Sequence, residues 1–233
     1  MSHVLIHGDC NEVLKEIPSE SIDLIITDPP YGINFESSSQ NYNKRDGVNN
    51  IYIKTGKHYF DKIQNDDVVS VEWLEDAYRV LKDGTAIYIF CHWQTYSYLV
   101  DWVEKYFKVK NMIVLNKSNH GMGDLKGSYA PKHELLLFAV KGRHNFQEDL
   151  PRPKDVWDVP VKYSGAKRYH PNEKPLSWFT NPIIYSSKEG DVVLDPFMGS
   201  GSTGVAALSY GRHFVGVELD KKYFDIAHQR LGE

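Results

Sequence analysis

The sequence predicts an α/β fold built on a mostly parallel sheet with helices on both faces. Three observations carry that expectation. Strand-like and helix-like segments alternate along the chain, the pattern that layers helices on one sheet. Two turns rich in Pro or Gly, at residues 27–32 and 195–204, directly follow apolar strand-like segments. The 233 residues, 41% of them hydrophobic, suffice for one core with a small elaboration.

Taken in order, residues 4–7 read as a short strand and 11–17 as a helix that Pro18 ends. Residues 22–27 are apolar and β-branched, a buried strand. From 31 to about 69 the pattern dissolves into Asn, Ser, Lys and Asp, a loop long enough to be functional or mobile. Val71, Leu74, Ala77, Tyr78 and Leu81 recur at helical spacing, with Lys82-Asp83-Gly84 closing that helix before a strand at 85–90. A helix over 94–106 leads to strands at 109–115 and 135–140, with a loop at 116–131 between them. Residues 141–171, punctuated by Pro151, Pro153, Pro160 and Pro171, read as irregular. A helix is expected at 176–186 despite Pro182, then a strand at 191–194, a Gly-rich turn and a helix to about 210. A strand at 213–217 and a helix capped by Asp220 close the chain. The count is seven strands, without internal repeat or low-complexity tract, in one domain over 1–233.

No apolar run approaches the ~20 residues of a membrane span, and the N-terminus shows no signal-peptide pattern. Cys10 and Cys91 have neither metal nor disulfide spacing and the histidines form no cluster, so a reduced, cytoplasmic, metal-free protein is expected. The net charge of −4 does not suggest nucleic acid, but its distribution does. Residues 108–174 hold thirteen Lys/Arg against seven Asp/Glu. One basic segment on an acidic body is the footprint of a phosphate-contacting face.

The first motif is Thr27-Asp28-Pro29-Pro30-Tyr31-Gly32. Pro29 and Pro30 end the strand and hold Asp28 and Tyr31 at the carboxyl end of the sheet, where open α/β folds bind ligands. The residue types suit one chemistry. The amino nitrogen of adenine is a poor nucleophile because its lone pair is delocalised into the ring. The Asp28 carboxylate and the Pro29 carbonyl can both accept hydrogen bonds from it, drawing it towards tetrahedral geometry and freeing the lone pair. Tyr31 offers a face for an extruded base. An ordinary strand-ending turn also uses Asp and Pro, so this motif gains weight only from the next.

The second motif is Asp195-Pro196-Phe197-Met198-Gly199-Ser200-Gly201-Ser202-Thr203-Gly204. Its glycines let backbone approach a nucleoside, and Glu218, ending the next strand, is placed for ribose hydroxyls. Residues 199–204 match the GxGxxG pattern of nicotinamide enzymes, but nothing resembles a hydride-transfer site, and no Lys follows for a Walker loop. The third motif is His170-Pro171-Asn172-Glu173-Lys174-Pro175, whose Lys174 can pair with a cofactor carboxylate.

In this order the three motifs resemble the DNA amino-methyltransferases of the β class, where a DPPY-type motif comes first and the HPxxKP-type and DPFxGSGT motifs last. The resemblance extends to Gly8-Asp9-Cys10, to residues 79–84 and to His133-Glu134. It implies the S-adenosylmethionine-dependent methyltransferase fold: seven strands, one antiparallel, in permuted motif order, with a small target-recognition insertion at 116–167. It implies catalysis by Asp28, Pro29, Pro30 and Tyr31 on N6 of a flipped adenine in double-stranded DNA. It assigns the S-adenosylmethionine site to Asp9, Cys10, Asp28, Lys174, Pro175, Asp195, Phe197, Gly199, Ser200, Gly201, Ser202, Thr203 and Glu218. Lys117, Lys126, Lys132, Arg143, Arg152, Lys154, Lys167 and Arg168 become candidate DNA contacts. Residues 33–66 are expected to be mobile and to order over DNA or cofactor. A homodimer and a cognate restriction endonuclease are candidate partners. Competing readings are N4 of cytosine, where Ser-Pro-Pro-Tyr is more usual, an RNA or protein amide methyltransferase, and a non-catalytic DNA-binding relative.

Overall fold

The computed structural model describes residues 2–31, 70–120, 127, 129–160 and 174–232. The expected mobile loop at 33–66 lies outside the described residues, as do residues 170–173 of the third motif. The described strands are β1 (His3–His7), β2 (Ile22–Thr27), β3 (Leu81–Cys91), β4 (Lys108–Lys117), β5 (His133–Val140), β6 (Val156–Val159), β7 (Val192–Asp195) and β8 (His213–Glu218). The helices are α1 (Cys10–Glu16), α2 (Leu74–Val80), α3 (Tyr96–Val103), α4 (Ser177–Ser186), α5 (Ser202–Ser209) and α6 (Lys221–Leu231).

The strands form one sheet in the order β1-β8-β7-β2-β3-β5-β4-β6, in which β5 alone runs antiparallel to its neighbours. Alternate side chains leave on opposite faces, and both faces are covered. Leu24, Ile26, Tyr88 and Phe90 pack with α4, α5 and α6 through Phe179, Ile183, Ala206, Ala207 and Leu231. Ile25, Ile87, Ile89 and Leu137 pack with α1, α2 and α3 through Leu14, Leu74, Val80, Leu99 and Val103. This two-sided burial is why the central strands read as unbroken apolar runs.

Three features differ from expectation. The sheet has eight strands, not seven, because β6 lies inside the stretch expected to be irregular. It is a four-residue edge strand with alternating exposure, pinned by Trp157 and Val159 in the core, and too short to stand out among prolines. Next, Lys82-Asp83-Gly84 belongs to β3 instead of closing the preceding helix. The β2–β3 register shifts there, from Ile22↔Leu81 to Leu24↔Ala86, and the excursion carries Lys82 to within 2.6 Å of Asp23. Lys141, buried at the exit of β5, donates to the carbonyls of Tyr78 (3.0 Å) and Leu81 (2.7 Å), satisfying acceptors that α2 leaves at its end. Lastly, α3 is shorter than the helix expected over 94–106. Asp220 caps α6 as expected, its side chain accepting from the Lys222 amide.

The N-terminal β1 lies beside the C-terminal β8, and β2 lies beside β7. From β7 the chain moves outward through α5 to β8, whereas from β2 it moves the other way through α2 to β3. The gap between the carboxyl ends of β2 and β7 is therefore a topological switch point, the place where open α/β sheets bind ligands. Among the described residues no helix is long and apolar enough to cross a membrane.

The packing of α5 on β8 depends on Gly204. A β-carbon there would sit 2.6 Å from the ring of the fully buried Phe214. Gly204→Ala is expected to lower unfolding free energy by about 2 kcal/mol despite the better helix propensity of Ala. Urea unfolding measures this, and wild-type stability would show that the Phe214 ring can move aside.

Candidate active site

The first two sequence motifs meet at the switch point, joined by a buried carboxylate. Asp195 ends β7 at 2% exposure. Its Oδ1 accepts from Thr27 Oγ1 at 2.8 Å and from the Phe197 amide at 3.1 Å, and its Oδ2 accepts from Thr203 Oγ1 at 2.6 Å. One side chain thus ties the end of β2 to the Gly-rich turn and the start of α5. Asp195, expected among the cofactor contacts, builds the loop from behind. Burial pushes its carboxyl up to about 7, against the three hydrogen bonds.

The Gly-rich turn runs along the carboxyl edge from β7 to α5. The Met198 amide donates to the Val217 carbonyl at 2.9 Å, and the Gly199 amide to Glu218 Oε2 at 2.9 Å. Gly201, at φ +81°, precedes α5, where a β-carbon would meet Leu231 at 2.9 Å. Ser200 is held from below by Arg230, which donates to its carbonyl and hydroxyl at 2.6 and 3.0 Å. The Gly8 amide donates to the Glu218 carbonyl, which brings Asp9 and Cys10 beside Glu218. Asp9 caps α1 through the Asn11 amide at 2.9 Å. Phe197 packs edge-on against Trp73, centroids 5.5 Å apart. Burial raises the Glu218 carboxyl above its usual range. Among the described residues, two buried side-chain polar atoms lack a hydrogen-bond partner, Asn11 Oδ1 and Ser202 Oγ. Both sit in first turns of helices that start at this edge.

A second cluster surrounds Asp28. The Tyr31 hydroxyl donates to Asp28 Oδ1. Lys174 Nζ lies 3.2 Å from Asp28 Oδ2 and donates to the Tyr31 hydroxyl at 3.1 Å. Lys174, expected at a cofactor carboxylate, faces the Asp28–Tyr31 turn. It also lies 3.9 Å from Glu134 Oε2, while Glu134 Oε1 accepts from Lys117 Nζ at 3.0 Å. Burial works against the charge on Lys174, but Asp28 and Glu134 outweigh it and raise its pKa. Burial likewise opposes the charge on Glu134, yet Lys174 and Lys117 hold its carboxyl below the usual range. Burial and the Asp28 charge push the Tyr31 phenol well up. Burial also raises both thiols, Cys10 and Cys91, to about 12, so neither is a ready nucleophile. Glu134 has no role assigned by residue pattern. Its signals are its place in the His133-Glu134 pair of the family resemblance and a charge near the start of a mostly apolar β5.

The DNA methylase family model matches residues 22–229. The chain belongs to the DNA methylase family. It is 31% identical to the Type II methyltransferase M.HinfI of Haemophilus influenzae, over 99% of this chain and 68% of that protein. It is 30% identical to the DNA adenine methyltransferase YhdJ of Escherichia coli (strain K12), over 97% of this chain and 82% of that protein. The M1.HpyAVI-SAM complex matches with a TM-score of 0.73 and 28% identity, over 98% of this chain and all of that one. The cytosine-N4-specific PvuII DNA methyltransferase shares the fold, with a TM-score of 0.71 at 14% identity over 99% of this chain and 86% of that one.

The basic residues of this DNA methylase fall into separate places. Lys132 is exposed at the carboxyl edge, immediately before β5. Lys117, among the expected DNA contacts, is instead ion-paired to Glu134 and largely buried. Arg143 lies beyond the opposite end of β5, roughly 25 Å along the strand from the carboxyl edge. Arg152 and Lys154 line a cavity of about 350 Å³ with Tyr88, Trp157 and Tyr185. Lys126, Lys167 and Arg168 lie outside the described residues. Exposed Trp93 follows β3 at the catalytic edge, its ring 5.8 Å from His92, which lies 6.4 Å from Tyr31.

The raised carboxyl of Asp195 sets a pH dependence of stability. Folding lifts it from an ordinary 3.8 to about 7, so the folded state binds the proton more tightly. The stability it contributes is full below 3.8 and is lost as pH rises through about 7. Asp195→Asn removes this slope, so the variant should gain on wild type across that window in urea unfolding. Parallel pH curves would refute it.

Proposed function

We propose that this chain transfers the methyl group of S-adenosylmethionine to the exocyclic N6 of an adenine extruded from double-stranded DNA. The supporting observation is the meeting, at one switch point, of an Asp28–Tyr31 turn and a Gly-rich turn that ends on the Glu218 carboxylate. The chain's residues fit the cofactor. Glu218 supplies a carboxylate for ribose hydroxyls, and Gly199 and Gly201 leave the approach free of side chains. Asn11 Oδ1 and Ser202 Oγ are polar atoms in want of partners at the same edge. Asp9, Cys10 and Phe197 flank the position an adenine ring would take. When bound, S-adenosylmethionine supplies an electrophilic methyl group.

The rest of the chemistry belongs to the protein. The Asp28 carboxylate and the Pro29 carbonyl accept hydrogen bonds from the amino group, which localises its lone pair and aims it at the methyl carbon. Pro29 and Pro30 fix those acceptors, so little reorganisation accompanies reaction. Tyr31 stacks the base. Transfer is direct, without a covalent enzyme intermediate, in keeping with the raised thiols of Cys10 and Cys91. Lys132 serves phosphate or base contact at the catalytic edge, within the target-recognition region at 116–167. The Type II names of several relatives motivate a search for a cognate restriction endonuclease, and a second copy of the chain is the other candidate partner.

Incubation with methyl-labelled S-adenosylmethionine and unmethylated genomic DNA, followed by nucleoside analysis, should place label in N6-methyladenine. Label in N4-methylcytosine instead would overturn the choice of base. Asp28→Ala should lower kcat by at least about 10²-fold while cofactor affinity stays within about twofold. Wild-type turnover in that variant would remove Asp28 from the mechanism.

A further inference from the structure

The acceptor that the proposed chemistry needs is already taken. Asp28 Oδ1 accepts from the Tyr31 hydroxyl and Oδ2 is paired with Lys174. An incoming amino group competes with them for the lone pairs of that carboxylate. Tyr31 belongs to the same rigid turn, three residues along. Lys174 comes from a separate segment on a long, flexible side chain and is the removable partner.

Displacing it raises an electrostatic problem. The Lys174 side chain is 10% exposed, and away from Asp28 it keeps a hydrogen bond to the neutral Tyr31 hydroxyl but no close counter-charge, which is disfavoured for a buried ammonium. Glu134 answers this need. Its Oε2 lies 3.9 Å from Lys174 Nζ, about 1 Å beyond a hydrogen bond. Its Oε1 is held by Lys117, two strand positions from the register partner of Glu134. If Glu134 served only to pair Lys117 across β4 and β5, its Oε2 would have no reason to face Lys174.

We infer that Glu134 is a positioning residue: it receives the Lys174 ammonium when the target amino group takes the Asp28 oxygen, and Lys117 holds it ready. The contact moves by about 1 Å, within reach of lysine side-chain rotation. The exchange keeps the buried Lys174 ammonium and the Glu134 carboxylate paired throughout. It leaves Asp28 with an acceptor whose charge is no longer spent on a neighbouring cation. This role rests on the methyl-transfer reading above.

The test uses the full chain with S-adenosylmethionine and unmethylated DNA. Glu134→Gln, which keeps shape and removes charge, should lower kcat by about tenfold or more. KM for DNA and the cofactor Kd should stay within about twofold, because Glu134 touches neither ligand in this scheme. In a Lys174→Met background the same substitution should have no further effect on kcat, since Glu134 acts through Lys174. Wild-type kcat in Glu134→Gln, or an equal loss in the Lys174→Met background, overturns the inference. Should Glu134→Gln not fold, Lys117→Met, which only loosens Glu134, should lower kcat by a smaller factor at unchanged KM; unchanged kcat there also overturns it. Absence of methyl transfer by the wild-type chain would overturn the transfer reading itself, and this role with it.

Discussion

The site depends on one buried carboxylate. Asp195 bonds the end of β2, the Gly-rich turn and the start of α5 with one side chain. Strand pairing brings β2 and β7 together over only two register positions, Leu24↔Val193 and Ile25↔Leu194. Beyond them β2 runs on to Thr27 and β7 to Asp195, where side-chain hydrogen bonds take over from strand pairing. The Thr27 hydroxyl and the Thr203 hydroxyl sit on opposite oxygens of Asp195. Hydroxyls, unlike cations, let the carboxylate be buried without importing a second charge, but they only partly offset its desolvation. The raised carboxyl of Asp195 is the consequence.

Asp28 meets the same difficulty one residue past β2 with a different solution. One of its oxygens accepts from the Tyr31 hydroxyl and the other is paired with the Lys174 ammonium, which in turn has the Glu134 carboxylate beside it. From this follows the chain of alternating charges from Asp28 through Lys174 and Glu134 to Lys117. The four residues come from the turn after β2, the segment before α4, β5 and β4. Burying charge there is tolerable because each has an opposite neighbour. The antiparallel run of β5 places Glu134 at the strand's beginning yet at the carboxyl edge of the parallel strands. A parallel strand would present its end there instead.

The legible parts of the sequence were those set by local pattern. Apolar runs buried on both faces marked β2, β3 and β5, and Asp, Pro and Gly punctuated the two turns because backbone geometry at a strand end demands them. The permuted order was legible as well, because the Asp28–Tyr31 turn comes early in the chain and the Gly-rich turn late. The parts that escaped were set by contacts distant in sequence. Glu134 and Lys117 are seventeen residues apart and Lys174 lies further on. No spacing rule announces that they meet, and Lys117 looked like any basic residue of a basic segment. The strand β6 escaped for a related reason. Its four residues are held by pairing with β4 and by Trp157, neither of which is a local signal. Charge counting grouped Arg143 with Lys132, whereas the strand between them sends them to opposite edges of the sheet.

The two aspartates that end neighbouring strands divide the labour between holding and reacting. Both follow a buried strand and both precede a proline, so sequence context alone treats them alike. Environment separates them: Asp195 is surrounded by hydroxyl and amide donors from its own scaffold, whereas Asp28 faces a lysine that a substrate can replace. Fixed donors make a group rigid and remove it from chemistry. An exchangeable partner keeps a group charged and leaves it open to a competitor. In the proposed transfer, Asp195 holds the Gly-rich turn against the Asp28–Tyr31 turn while Asp28 changes partners within it. In-line transfer would demand this combination, because the methyl donor and the amino nitrogen must stay aligned while the hydrogen bonds around the nitrogen are rearranged.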